Sequence, residues 1–225
     1  MEFYLPGGGG LVKKNSYHEV RVSYDKKREI LWSTLASFFS KKIIKKNSCV
    51  LEVGASYCDF INSVKAKKKI ALDSWPGIKK HANKDVECIV GDVNNLKKIK
   101  NNTLDIVFAS NLFEHLEKKD FELFLEQIKQ KMRRDGKLII LQPNYKKCYK
   151  DYFDDYTHIS IWTDVSLTDF LMANGFDVIE SYPGFLPLTI KSKLPVIPIL
   201  IKLYINFPFK PFAKQMLLIS ELRKV

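Results

Sequence analysis

The sequence has no uninterrupted apolar run of 18 residues, which argues against a membrane-spanning helix. Its four cysteines, Cys49, Cys58, Cys88 and Cys148, form no CxxC pair and have no histidine at ligand spacing. Neither a zinc site nor a disulfide framework is expected, no metal is assigned, and the thiols read as buried and free. The opening stretch MEFYLPGGGG lacks a cationic region leading into an apolar one, so the chain reads as cytoplasmic, without a signal peptide. Arginine is scarce, at five of the 37 basic residues. The net charge of +12 raises the question of anionic partners. Readers of base edges and phosphates, however, use the planar guanidinium fork. The lysine doublets are also scattered from Lys41-Lys42 to Lys146-Lys147 and form no single patch. Nucleic acid is therefore not the expected partner.

What is present is a core-forming pattern: 225 residues, 46% apolar and 28% charged, suit one domain. Strand-like apolar runs at 49–55, 69–73, 86–90, 104–109 and 137–142 alternate with helix-like stretches at 59–66, 76–83 and 120–134. In the last of these Phe121, Phe124, Leu125, Ile128 and Met132 share one face, and Asp135-Gly136 is the expected stop. A further helix at 163–174 and two closing strands, 176–182 and 215–222, complete the pattern. It predicts a Rossmann-like α/β fold, doubly wound, with a mostly parallel seven-stranded sheet and an antiparallel C-terminal edge hairpin.

Residues 1–45 read as a helical cover or lid, with a helix over 24–42 and His18, Tyr24 and Arg28 as lid candidates; residues 46–225 form the main domain. Within that domain lies an insert at 183–214, which holds six of the nine prolines, five lysines and no acid. The prolines forbid one long helix. The insert either packs over the substrate pocket or into a dimer, or it rests on an anionic membrane surface at the inner face.

A strand, a glycine turn and a helix open many nucleotide sites. The dinucleotide fingerprint would need glycines at 54, 56 and 59, and only Gly54 is there. Asp59 would repel a pyrophosphate at the helix N-terminus. A phosphate-free adenosine cofactor with a cationic end fits better, and S-adenosylmethionine is one. Glu52 and Asp59 suit its sulfonium end. Asp73, 21 residues after Glu52, can accept both ribose hydroxyls. Asp92 can accept from the adenine amino group, and Asn111 closes the fourth strand or meets the methionine part. Trp75 either packs on the adenine or covers the strand end.

The segments LEVGASYCDF (51–60), IALD (70–73), GDV (91–93), LDIVFASNLFEHL (104–116) and RRDGKLIILQPN (133–144) follow in order. Together the set resembles the class I S-adenosylmethionine-dependent methyltransferases over about residues 20 to 222. The resemblance implies S-adenosylmethionine as cofactor, with Glu52, Gly54, Ala55, Ser56, Asp73, Ser74, Asp92, Val93 and Asn111 around it. The family's usual second and third glycines are Ser56 and Cys58 here.

Methyl transfer to a hydroxyl needs a base. His158, in the loop YFDDYTH (152–158), is the first candidate, with Asp155 or Asp154 orienting it; His115, after the fourth strand, is the second. His81 reads as solvated at a lysine-rich helix end. Asp105 reads as a cap or a pairing partner. No Asn/Asp-Pro-Pro-Tyr/Phe segment ends the fourth strand, which disfavours adenine or glutamine amines, and no Pro-Cys nucleophile suggests cytosine chemistry. The DDYTH loop and the Gly184-Phe185-Leu186-Pro187 stretch look similar to small methyltransferase-domain proteins of bacterial surface-glycan synthesis. That resemblance implies O-methylation of a sugar or glycan intermediate, nucleotide- or lipid-linked. Other small molecules (a quinone precursor, a phosphate-bearing metabolite), RNA, or an inactive cofactor fold remain open beside it.

Overall fold

The structure, a computed structural model, describes residues 25–187 and 196–224. The lid candidates His18 and Tyr24 lie outside these residues. Helix α1 (Lys26–Lys42) begins where the Asp25 carboxylate accepts the Lys27 N–H, and it ends in Lys41 and Lys42, which complement the helix dipole. There follow β1 (Cys49–Val53), α2 (Asp59–Ser63), β2 (Lys68–Asp73), α3 (Ile78–His81), β3 (Val86–Val90), β4 (Leu104–Ser110), a 3-10 turn (Phe113–His115) and α4 (Lys118–Lys131). The chain continues through β5 (Met132–Pro143), α5 (Tyr145–Cys148), a second 3-10 turn (Tyr152–Asp154), α6 (Asp164–Ala173), β6 (Phe176–Pro187), α7 (Pro198–Asn206) and β7 (Ala213–Leu222).

The seven strands form one sheet in the order β3-β2-β1-β4-β5-β7-β6, with the mostly parallel build and the antiparallel C-terminal edge expected from the sequence. Strands β1 to β5 are parallel, and β7 enters antiparallel between β5 and β6. Strand order reverses between β1 and β4, so a crevice opens at their carboxyl ends, where ligands of open α/β sheets bind.

Apolar layers cover both faces. On one, α4 and α6 bury Phe121, Phe124, Leu167 and Leu171 against the sheet, with Phe113 stacked on Phe121 at 3.7 Å. On the other, α1 sets Phe39 against Phe60 and Phe108, which stack at 3.9 Å. The Asp105 carboxylate, expected to cap or pair, accepts the Cys49 N–H at 2.6 Å, tying β4 to the start of β1, and lies 3.5 Å from Arg133 Nε.

Several boundaries differ from the sequence pattern. Helix α4 stops at Lys131, because Met132 already pairs with Leu104 in a bulged start to β5. Asp135-Gly136 thus lies in the strand and is not the helix stop. A Cβ at Gly136 would sit 2.9 Å from the Arg133 and Leu104 carbonyl oxygens, so only glycine fits that bulge. Helices α2 and α3 are single turns, since the backbone is extended at Val64 and Ala82. Strand β6 runs through Pro183 to Pro187 and absorbs the start of the expected insert. It tolerates prolines because it is the sheet's edge and is bulged between Tyr182 and Leu186. The rest of the insert holds α7, with Pro198 in its first turn.

The loop after β1 is held tightly. Gly54 and Ala55 both donate to the Leu72 carbonyl, at 2.8 and 3.2 Å. Gly54, Ser56 and Cys58 all take left-handed backbone, with φ of 72°, 46° and 59°. The turn thus keeps a glycine-type conformation without two of the glycines. Left-handed φ costs a residue with a Cβ about 1–2 kcal/mol. Ser56→Gly is therefore expected to stabilise the protein by about 1 kcal/mol once the added chain entropy is subtracted, read as a higher denaturant midpoint. Cys58→Gly should give no such gain, because the fully buried Cys58 side chain would leave a void.

Candidate functional site

The carboxyl ends of β1, β2 and β3 are bound to one another. The Asp73 carboxylate accepts the Ser56 N–H and the Trp75 N–H, each at 2.7 Å, and the Asp73 carbonyl accepts the Gly91 N–H at 2.9 Å. Each Asp73 carboxylate oxygen keeps acceptor capacity beyond its one N–H. The Ser56 hydroxyl is buried with no hydrogen-bond partner among the described residues. Ser74 is exposed beside them. At the end of β3 the exposed Asp92 accepts the Asn94 N–H, whereas the Val93 side chain is buried in the core and offers the crevice only backbone. Ala55 is likewise buried. Beyond β4, Asn111 takes left-handed backbone, and its side-chain oxygen accepts from Gln215 Nε2 at 2.9 Å.

The two carboxylates assigned by sequence to a cationic ligand are engaged with the protein itself. Glu52 is buried and accepts the Ile61 N–H at 3.0 Å, satisfying the first turn of α2; burial pushes its pKa well above the usual range. Asp59 pairs with Arg28 Nε at 3.1 Å, which ties α1 to the glycine turn, although burial still raises its pKa. Arg28 is thus a structural tether.

An aromatic cluster covers the crevice beside Asp73. Trp75 stacks on His81 with ring centroids 5.6 Å apart, and Tyr57 meets both edge-on. His81 is therefore half-buried between rings and not solvated, because α3 is a single turn that folds back over Trp75. The cluster dictates Gly77: a Cβ there would lie 2.1 Å from the Trp75 ring.

The second group of residues lies on the turn after β4 and the loop after β5. Segment 152–162 is stitched to the 3-10 turn through backbone groups. The Glu114 carbonyl accepts the Ile159 and Ser160 N–H groups, Trp162 Nε1 donates to the Phe113 carbonyl, and Ser160 Oγ donates to the Leu116 carbonyl. This brings His115 and His158 together, with ring centroids 4.8 Å apart. His158 Nδ1 lies 2.5 Å from the Tyr152 carbonyl, which takes the orienting role expected of Asp155 or Asp154. Asp155 instead accepts from the Thr157 hydroxyl at 2.6 Å and the Thr157 N–H at 3.1 Å. Thr157 Oγ1 in turn lies 2.9 Å from His115 Nδ1. Asp155 thus closes a turn onto Thr157 and acts on His115 through it. Burial, reinforced by His158, pushes the His115 pKa down to about 4, so its imidazole is neutral. Asp155 stays below the usual carboxylate range despite burial, because Thr157 donates to it twice.

Sequence reasoning missed Glu114, Thr157 and Tyr152 as members of this group. Glu114 is fully buried, and burial pushes its pKa up to about 8. The one sequence signal was an acid directly beside a histidine in LFEHL, just past a strand.

Gly77→Ala is expected to force Trp75 off His81, costing about 1–3 kcal/mol of stability and red-shifting the tryptophan emission. An unchanged spectrum and midpoint would count against the cluster as described.

Residues 51–140 match the family model of a methyltransferase domain. No curated protein matches the chain. Among solved structures, it is 20% identical to a SAM-dependent methyltransferase from Archaeoglobus fulgidus, with TM-score 0.66 over 92% of this chain and 98% of that one. It is 13% identical to a chain from the complex of the Haloferax volcanii Trm112 methyltransferase activator with a methyltransferase, with TM-score 0.69 over 93% and 97%. A SAM-dependent methyltransferase from Aquifex aeolicus is 15% identical, with TM-score 0.60 over 88% and 94%. From the glycine turn into β5 the chain is thus similar in sequence to a methyltransferase domain, and its whole sheet has the fold of S-adenosylmethionine-dependent methyltransferases.

Proposed function

We propose that the protein uses S-adenosylmethionine to O-methylate a sugar or glycan intermediate of bacterial surface polysaccharide synthesis. The observation that carries this reading is the shared sheet edge: the Asp73-braced glycine turn and the His115–His158 pair open at the same carboxyl ends. The cofactor of this fold is S-adenosylmethionine, and the residues present suit it. The Ser56 hydroxyl is a buried polar atom with no hydrogen-bond partner among the described residues, and the Asp73 oxygens can accept further hydrogen bonds. Asp73 would hold the ribose, Asp92 the adenine amino group, and the 54–56 turn with Asn111 the methionine part. When bound, the cofactor supplies a methyl group on a sulfonium, activated for in-line displacement.

The chain's own part is to position the acceptor and to manage its proton. Tyr152 fixes His158 through Nδ1, which leaves Nε2 as the basic nitrogen. The loop around it offers Asp154, Asp155, Tyr156 and Thr157, a density of polar groups that suits a polyhydroxyl substrate. Calorimetric titration with S-adenosylmethionine should give saturable binding, about 10- to 100-fold weaker in Asp73→Ala. No binding by wild type, or equal binding by the variant, would remove this reading.

The insert supports a lipid-linked acceptor. Among the described residues no helix is long and apolar enough to cross a membrane. Helix α7 anchors through Ile205, yet leaves Ile199 and Leu203 exposed, and the turn after it exposes Phe209 at 72% and Phe212 at 82%. Lys202 and Lys210 flank these residues, and both help line a cavity of ≈ 680 Å³ between α1, β6 and α7. Apolar side chains ringed by lysines suit an anionic bilayer surface. Full-length protein should co-sediment with anionic vesicles at low salt, and Phe209→Ser with Phe212→Ser should release it; wild type left in the supernatant would refute membrane contact.

A further inference from the structure

The Glu114 carboxylate is left unexplained by acid–base chemistry at the histidines. Glu114 is fully buried, and neither carboxylate oxygen has a hydrogen-bond partner among the described residues. Protonation alone does not satisfy it, because a carboxylic acid still needs an acceptor for its O–H. His115 Nε2, at 4.0 Å, is out of hydrogen-bond range.

The surrounding groups have the chemistry of a cation site. One Glu114 oxygen and one imidazole nitrogen from each of His115 and His158 lie within 4.8 Å of one another. Both Nδ1 atoms are turned to fixed oxygens, His115 to Thr157 Oγ1 and His158 to the Tyr152 carbonyl. The Thr157 hydroxyl gives its proton to Asp155, so towards His115 it is an acceptor and His115 carries its proton on Nδ1. In both rings Nε2 is then the nitrogen with the lone pair. Metal-bound histidines almost always donate their second nitrogen in this way, to a carboxylate, a carbonyl or an equivalent acceptor. Two imidazoles and one buried carboxylate make a two-histidine, one-carboxylate donor set with open positions.

We infer that Glu114, His115 and His158 form a binding site for a divalent transition-metal ion, of which Zn²⁺ is the test case, at the acceptor end of the crevice. Imidazole ligands favour such an ion over Mg²⁺ or Ca²⁺, which take oxygen donors. Bonds of about 2.0–2.2 Å place ligand atoms roughly 3.3 Å apart, so the three side chains draw together by about 1.5 Å on binding. The open positions take a hydroxyl oxygen of the acceptor, which the ion would hold and acidify, so that with the ion bound His158 Nε2 is a ligand and no longer the base. That last role rests on the methyltransferase reading; the ion site itself does not.

The test uses full-length protein stripped with a chelator and titrated with Zn²⁺, with neither cofactor nor acceptor present. Loss of the methyltransferase reading would therefore leave the result standing. One Zn²⁺ per chain is expected, together with visible d–d absorption from Co²⁺ in the same site. Glu114→Gln and His158→Ala should each weaken Zn²⁺ binding by at least ~100-fold, while His81→Ala, outside the cluster, binds as wild type. Circular dichroism checks that the variants fold. Should Glu114→Gln unfold, His158→Ala and the wild-type Co²⁺ spectrum decide. No stoichiometric ion in wild type, or folded variants that bind as tightly as wild type, would overturn the inference.

Discussion

The histidine end of the crevice depends on one backbone junction. The Glu114 carbonyl receives two successive amides, Ile159 and Ser160, and so fixes a long irregular segment to a 3-10 turn. The turn is rigid because it leaves β4, which lies between two parallel neighbours. Trp162 and Tyr152 strengthen the junction from either side: the indole N–H reaches the Phe113 carbonyl, and the phenol reaches the Ser160 carbonyl. Without this docking, His158 would sit on a free loop and have no fixed relation to His115. With it, two imidazoles and a buried carboxylate are held at one strand end by backbone carbonyls that take both amide and side-chain donors.

The glycine-turn end is built on a different constraint, backbone conformation. Three residues of the 54–58 turn are left-handed, and only one of them is glycine. The Leu72 carbonyl and the Asp73 carboxylate gather the amides of residues 54 to 56, and those bonds offset the strain of Ser56. Arg28 adds a tether from α1 to Asp59. Helix α1 is thereby part of the site's foundation as well as a cover for the sheet, because Phe39 packs on the same two rings, Phe60 and Phe108, that lie under the turn.

Charge has a modest part in this architecture. Many lysines stand in surface pairs, such as Lys68 with Glu87 and Lys119 with Glu117, and Lys69 is buried with its charge directed to Asp85. Exposed pairs of this kind add little stability. The concentration that matters is local, where Lys41, Lys42, Lys202 and Lys210 gather about the cavity beside α7.

Much of the fold was legible because hydrophobic period is a local property. Runs such as 104–109 announced strands, and the 3/4 spacing of Phe121, Phe124, Leu125 and Ile128 announced α4. Turn residues also showed where the crevice opens, at Gly54, Asp73 and Asn111. Boundaries were less legible where pairing overrode local signals: Met132 joins β5 because Leu104 is there to pair with it, and Pro183 stays in β6 because an edge strand can bulge. The roles of Glu52 and Asp59 were hidden because a carboxylate's partners, here the Ile61 amide and Arg28, are set by packing. The sequence by itself determined the order of strands and helices and the residue types at each strand end, since these follow from periodicity and turn chemistry. Only the tertiary structure decided that Glu114 is buried beside His115 and His158 with no hydrogen-bond partner among the described residues. Burial and proximity arise when distant segments dock, and no spacing along the chain encodes them.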